Sequence, residues 1–328
     1  SMSLASGLAI TVALVLLGAC GPSPGASHHA AEPATASPQT RHPAGTVVQV
    51  GPQPEGIVYD AQLGVVAVAV RDPDRLLVLN GTDLSMVRSV LLPGSVRHLQ
   101  AGAPGTVLVP VESSNQLDVV TLADGSQSLT SVGRQPHDAA AVGGGDVVVG
   151  NEFGHSIAFV HNGAVGATIS DVQQPGGIVG YGATVAVIDV NGYTVSTYDV
   201  ATMTRVSRAK AGRGPTHGVL LSGQRLAVAD TRGNAVLLFD VSPLRQVGKI
   251  SLPGTPYGMA VDNSTHTVWI TLTARNEVVG IDTSSNSPKV IARYPTVRQP
   301  NTVAVQPGSH RLWITGTVEG VVERIDVP

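Results

Sequence analysis

The sequence predicts an all-β fold, a seven-bladed β-propeller with four antiparallel strands per blade, and three observations predict it. A turn pattern recurs with anchors at Pro54, Val96, Pro136, Pro175, Pro215, Pro256 and Pro300, about forty residues apart. Each repeat divides into short apolar, β-branched runs separated by Gly, Asn, Asp and Pro. The two ends of the array complement one another, because the last repeat is one strand short and an unpartnered strand precedes the first. A fixed period of this length marks a repeat architecture, and four strands per unit of this size is a propeller blade.

The anchors read Gly51-Pro52-Gln53-Pro54-Glu55-Gly56, Gly133-Arg134-Gln135-Pro136-His137-Asp138 and Val172-Gln173-Gln174-Pro175-Gly176-Gly177. Gly212-Arg213-Gly214-Pro215-Thr216-His217, Gly254-Thr255-Pro256-Tyr257-Gly258 and Val297-Arg298-Gln299-Pro300-Asn301-Thr302 follow the same form. The second repeat, Gly94-Ser95-Val96-Arg97-His98, carries valine in place of the proline. Within the fifth repeat, Gly218–Leu221, Arg225–Asp230, Ala235–Asp240 and a run near Gln246–Leu252 give four strands with polar turns between them. The second strand recurs at Val65–Val70, Thr106–Val111, Asp146–Gly150, Thr184–Ile188, Thr267–Thr271 and Arg311–Thr315. Gly143-Gly144-Gly145 falls between two strands and reads as a hairpin turn rather than a nucleotide loop. The last repeat supplies three strands ending at Val321–Val327, so Thr46–Val50 is expected to complete its blade as the outer strand and close the ring. One domain, 45–328, results.

The segment before it has another character. Leu8–Ala19 is an apolar run too short for a membrane-spanning helix, and Leu17-Gly18-Ala19-Cys20 has the pattern of a bacterial lipobox. Residues 1–20 are therefore expected to be a lipoprotein signal peptide, with Cys20 as the lipidated residue, although no Lys or Arg precedes it. Cys20 is the single cysteine, which leaves no thiol for a disulfide or for catalysis. Residues 21–44 are rich in Pro, Ala, Ser and Gly and are expected to form a flexible tether. The expected location is the outer face of the bacterial cytoplasmic membrane.

Composition excludes several function classes. Charged residues make up 13% of the 328, and the formal net charge is −3. No basic stripe follows a phosphate backbone, and aromatics at 3% are too few for stacking platforms, so no nucleic-acid partner is expected. Trp269 and Trp313 occupy the same place in adjacent repeats, which suits packing between blades. The chain has no Gly-x-Ser-x-Gly elbow, no His-Glu-x-x-His and no phosphate loop.

The blade pattern resembles that of YVTN-type seven-bladed propellers. Pro256-Tyr257-Gly258-Met259-Ala260-Val261, Val268-Trp269-Ile270-Thr271 and Val279-Gly280-Ile281-Asp282 carry the resemblance. With the lipobox, the chain looks like an actinobacterial envelope lipoprotein of this type. Such propellers include binding proteins, lactonase-like enzymes and metal-dependent lyases such as virginiamycin B lyase. The resemblance implies the fold and does not choose among these roles.

Geometry narrows the search for a site. Residues after each anchor and residues ending each second strand share the loop face around the central channel. Candidates there are Glu55, Arg97, His98, His137, Asp138, Glu152, Asp189, His217, Asp230, Tyr257 and Asn301, with Arg71, Glu112 and Asn151 in the same ring. His98, Asp138 and His217 stand two residues past the anchor, while Glu55, Arg97 and His137 stand one past it. Adjacent strand positions point oppositely, so the two sets need not converge. Three readings fit. The residues cap loops in a binding or scaffold module that offers this face to an envelope protein or small ligand. Alternatively His98, His137, His217, Glu152 and Asp189 hold a divalent ion such as Mg²⁺, Mn²⁺ or Zn²⁺. Or a metal and a proton-moving His or Glu form a lyase or lactonase-like site. A monomer is expected, with no cofactor beyond such an ion.

Overall fold

The computed structural model describes residues 29–328 apart from His310. The expected signal segment, Cys20 and the first part of the tether lie outside the described residues. Seven four-stranded antiparallel sheets surround a central channel, each with its strands in sequence order from the channel outward. The exception is the last blade, which the chain builds from both ends. Thr46–Gln49 pairs antiparallel with Val321–Asp326, Thr46 opposite Arg324 and Gln49 opposite Val321. This is the closure that the missing strand predicts, and it leaves no blade with an exposed gap.

A hydrogen bond repeated from blade to blade explains why the anchor recurs. The residue that follows the second strand donates its N–H to the carbonyl of the residue before the anchor. The pairs are Glu112–Ser95, Glu152–Gln135, Val190–Gln174, Thr231–Gly214, Thr273–Thr255 and Thr317–Gln299. Six of the seven anchor turns are thereby tied to the end of the neighbouring strand, and in blade 1 Arg71 donates its N–H one residue further back, to the Pro52 carbonyl. Gln53, Gln135, Thr255 and Gln299, immediately before their prolines, take φ values of 51°, 53°, 61° and 59°. The turn reverses there, so the first strand descends along the channel wall.

Blades pack on one another chiefly through layers of Val, Leu, Ile and Ala, with a tryptophan at two of the seams. The two indoles sit near the closure. Trp313 is fully buried, stacks on Tyr59 of blade 1 with ring centroids 4.9 Å apart, and donates its Nε1–H to the Gly81 carbonyl at 3.0 Å. Trp269 packs against Val303, Val305 and Leu312 of blade 7. Gly280 makes room for it: a Cβ there would come within 2.9 Å of the indole. Both indoles thus pack between blades, as their matching positions predict. The second repeat, lacking its proline, has a first strand of only two residues, Gln100–Ala101.

Residues 29–44, which composition places in the tether, lie against the loop face of the ring. Ala31 and Ala36 are buried, and hydrogen bonds tie this segment to blades on both sides of the channel mouth. The groups that order it belong to the propeller loops, so the segment's own composition holds no trace of them.

Candidate functional site

Blades 2 and 3 bring the central charges together. Glu112 and Glu152 are the same position in consecutive blades, each just past a second strand, and His137 stands between them. His137 Nδ1 lies 2.7 Å from Glu112 Oε1 and 3.4 Å from Glu152 Oε2, and all three side chains are buried. Burial disfavours the imidazolium, but the charges of Glu152 and Glu112 and the hydrogen bond to Glu112 outweigh it, raising the His137 pKa to about 9. Burial also acts on Glu112, yet the hydrogen bond and charge of His137 hold its carboxyl below the usual range. The geometry is that of a proton clamped between two carboxylates.

The same three residues offer ligand atoms within 4.8 Å of one another. One imidazole nitrogen and two carboxylates are a donor set that fits a small divalent ion, which would displace the proton from Nδ1. Of the expected ligands, His137 and Glu152 are in this group. Glu112, placed in the ring by its position but not among the expected ligands, completes it. Its signal was available: Glu112 and Glu152 occupy equivalent places in adjacent repeats.

The remaining candidates are arranged in two tiers. Residues one past the anchor, Arg97, His137 and Tyr257 among them, line a narrow space of about 20 Å³ beside Ala31 and Glu32. Residues two past it, His98 and His217, head a wider space of about 350 Å³ that continues down the channel between apolar first-strand residues such as Val219, Met259 and Val261. His217 borders both. The imidazole rings of His98, His137 and His217 separate the two spaces, with centroids 5.0, 6.0 and 6.3 Å apart. Register shifts at Pro136/Asp138 and Pro215/His217 break strict alternation at the head of each strand, which lets the two tiers approach.

Protonation differs among neighbours. His217 donates Nδ1–H to the Tyr257 carbonyl at 3.1 Å, and Tyr257 meets its ring edge-on at 4.6 Å. Burial, followed by the charges of His98, His137 and Arg97, pushes its pKa well below the ordinary value. A neutral imidazole with a lone pair on Nε2 therefore sits beside a charged one. Arg97 spans the mouth, 3.6 Å from Glu55, 3.2 Å from Glu32 and 3.4 Å from the Tyr257 hydroxyl. Burial works against its charge, but Tyr257, Glu55 and Glu32 more than offset that and raise its pKa. The Tyr257 hydroxyl is kept un-ionised chiefly by burial.

Other candidates hold the scaffold. Asp138 lies 2.7 Å from His98 Nδ1 and accepts from Gln100 Nε2 and from the N–H groups of Ala139 and Ile178. It joins blades 2, 3 and 4. Asp189 accepts from the backbone of Gln173, Gln174, Asn191 and Gly192, and stands outside the Glu112–His137–Glu152 group. Asp230 does the same for Arg213, Gly214 and Gly233. Both carboxylates are consumed in capping loops. Asn301 accepts from Gln299 Nε2, which faces residues 29–44. Asn151 donates to Ser156 within its own blade, and Arg71 ties its N–H to the Pro52 carbonyl.

No protein-family model and no curated protein sequence matches the chain. Solved structures do. Hydrazine synthase of Kuenenia stuttgartiensis aligns with TM-score 0.73 at 15% identity, over 85% of this chain and 97% of that one. A chain of a mitotic checkpoint complex aligns with TM-score 0.75 at 12% identity, over 98% and 99%. Virginiamycin B lyase from Staphylococcus aureus aligns with TM-score 0.71 at 14% identity, over 86% and 99%. At such identities the likeness is one of fold.

Proposed function

We propose that this chain is a binding module of the bacterial cell envelope, held at the outer face of the cytoplasmic membrane by a lipid on Cys20, with its loop face directed at a protein or small ligand. The observation that carries this reading is the contrast between charge and space at the centre of that face. Buried charges converge there around Arg97, yet the space among them is about 20 Å³, room for one water, while the 350 Å³ space beyond His98 and His217 is lined by no carboxylate, lysine or arginine. Recognition across the face suits this geometry better than turnover within it. A structural neighbour taken from a multiprotein complex agrees with such a role.

The test places a photo-crosslinking residue in cells at Arg275 on the loop face or at Arg245 on the outer edge of blade 5. Loop-face adducts that vanish with Arg97→Glu, together with recovery in the membrane fraction that is lost with Cys20→Ser, are expected. Equal labelling from both positions, unaffected by Arg97→Glu, refutes the reading.

One observation favours a second reading, a metal-dependent lyase or lactonase-like enzyme. Glu112, His137 and Glu152 fit a divalent ion, which would supply Lewis acidity. Arg97 would hold a substrate anion, and the neutral His217 would accept a proton. The lyase among the structural neighbours belongs with this reading. Plasma mass spectrometry of protein purified without chelators or a histidine tag decides it. About one equivalent of metal, lost in His137→Gln, supports the site; no metal, and no thermal shift on adding any, removes it.

A further inference from the structure

Residues 29–41 are held as a receptor holds a peptide. They form no helix or strand of their own, and cross from blades 4 and 5, over the channel mouth, to blades 6 and 7. The ring grips them mainly by the main chain. Tyr193 and Arg232 donate to the His29 carbonyl at 2.8 and 2.7 Å. Gln299 reads two groups with one amide: Nε2 donates to the Ala34 carbonyl at 2.7 Å, and Oε1 accepts the Ala36 N–H at 2.9 Å. Thr273 Oγ1 accepts the Ala34 N–H at 2.9 Å, and Asn276 donates to the Ser37 carbonyl at 2.9 Å.

Side chains add selectivity. Ala31 and Ala36 are 9% and 3% exposed, so only small residues fit there. Gly214 leaves the space that Ala31 fills: a Cβ on it would approach the Ala31 Cβ to 3.0 Å. Glu32 places its carboxylate on Arg97, and Arg41 closes the far end on Glu277 at 3.1 Å. Pro33 and Pro38 favour the extended conformation that such main-chain reading needs.

We propose that the loop face is a receptor for an extended Pro/Ala-rich segment with two small residues five positions apart and a carboxylate after the first. Residues 29–41 are its resident occupant, and a partner segment of the same pattern displaces them. This rests on the binding-module reading and names both its ligand and its regulation. Glu32 satisfies the arginine that a partner's carboxylate would take, so the free protein is closed. Ala31 and Glu32 also border the narrow space beside His137, and displacement widens it.

The experiment uses the full chain and a fluorescent thirteen-residue peptide with the sequence of residues 29–41. A tethered segment sees its site at an effective concentration on the order of millimolar, so a closed strap implies a dissociation constant in trans below about 1 mM. Ala36→Arg in the full chain should evict the strap and bind the peptide at least tenfold more tightly than wild type does. A peptide carrying Ala36→Arg should bind that variant at least tenfold more weakly. An Ala36→Arg protein of unchanged Tm that binds no better than wild type into the millimolar range overturns the proposal. Unprotected Ala34 and Ala36 amides in hydrogen exchange of the wild type do so independently, whether or not the variant folds. A concentration-dependent dimer would replace the intramolecular occupant by a second copy's segment and overturn the resident role. Loop-face crosslinks that persist while peptide binding fails would sink this inference and leave the binding-module reading standing.

Discussion

Replacing His137 by Gln tests the carboxylate clamp through the pH dependence of stability. The imidazole titrates near 6.5 in an unfolded chain and near 9 in the folded one. Its contribution is therefore fully present below pH 6.5 and is lost as pH rises toward 9. At about 1.4 kcal/mol per tenfold change in proton affinity, that contribution is about 3 kcal/mol. Glutamine keeps a donor for Glu112 but binds no proton. Glu323, whose carboxyl is pushed up to about 7 by burial, also loses stability with rising pH, but over a window that starts lower, from 4.5. The difference between wild type and His137→Gln cancels it. Urea unfolding followed by circular dichroism, in chelator, near pH 6 and near pH 9.5, should show wild type losing about 3 kcal/mol more than the variant. Parallel losses would mean that the proton is not held between Glu112 and Glu152, and the account of the clamp would be wrong.

Two further outcomes follow from the packing. Trp313→Ala empties the space between blades 7 and 1 and orphans the Gly81 carbonyl; a loss of about 3–5 kcal/mol in urea unfolding is expected, and a loss below about 1 kcal/mol would refute the closure account. Asp138→Asn turns an amide donor toward the donors of Gln100, Ile178 and Ala139; a loss of about 3 kcal/mol is expected by the same assay, with weakened protection of the Ile178 amide in hydrogen exchange.

The fold was legible because its cause is local and repeated. A proline turn tied to the end of the next strand leaves a mark every forty residues, and a strand without a partner at Thr46 answers a blade without an outer strand. The polar centre was legible in outline for the same reason: ring position follows from distance past the anchor. Which candidates work together was not. Asp189 and His137 look alike as ring positions, but Asp189 spends its lone pairs on four backbone N–H groups, two in the turn before Pro175 and two in the loop that follows Asp189. Glu112 joins His137 through a contact between blades, and no spacing within one repeat records it. Residues 29–44 read as tether because composition reports what a segment can bury alone. It is silent about Gln299, Thr273 and Asn276, more than two hundred residues away.

The two-ended last blade imposes an order in time. As the chain leaves the ribosome, Thr46–Gln49 appears first and its partner, Val321–Asp326, appears last, so the first-made strand waits unpaired through the synthesis of the whole ring. Blades 1 to 6 have all their strands as soon as each is made and can stack in succession. The seventh cannot, and until it does Trp313 has no wall against Tyr59. Chains cut short before Val321 should therefore be nearly complete arcs with two open edges, exposed to wrong pairing until Val321–Asp326 is present.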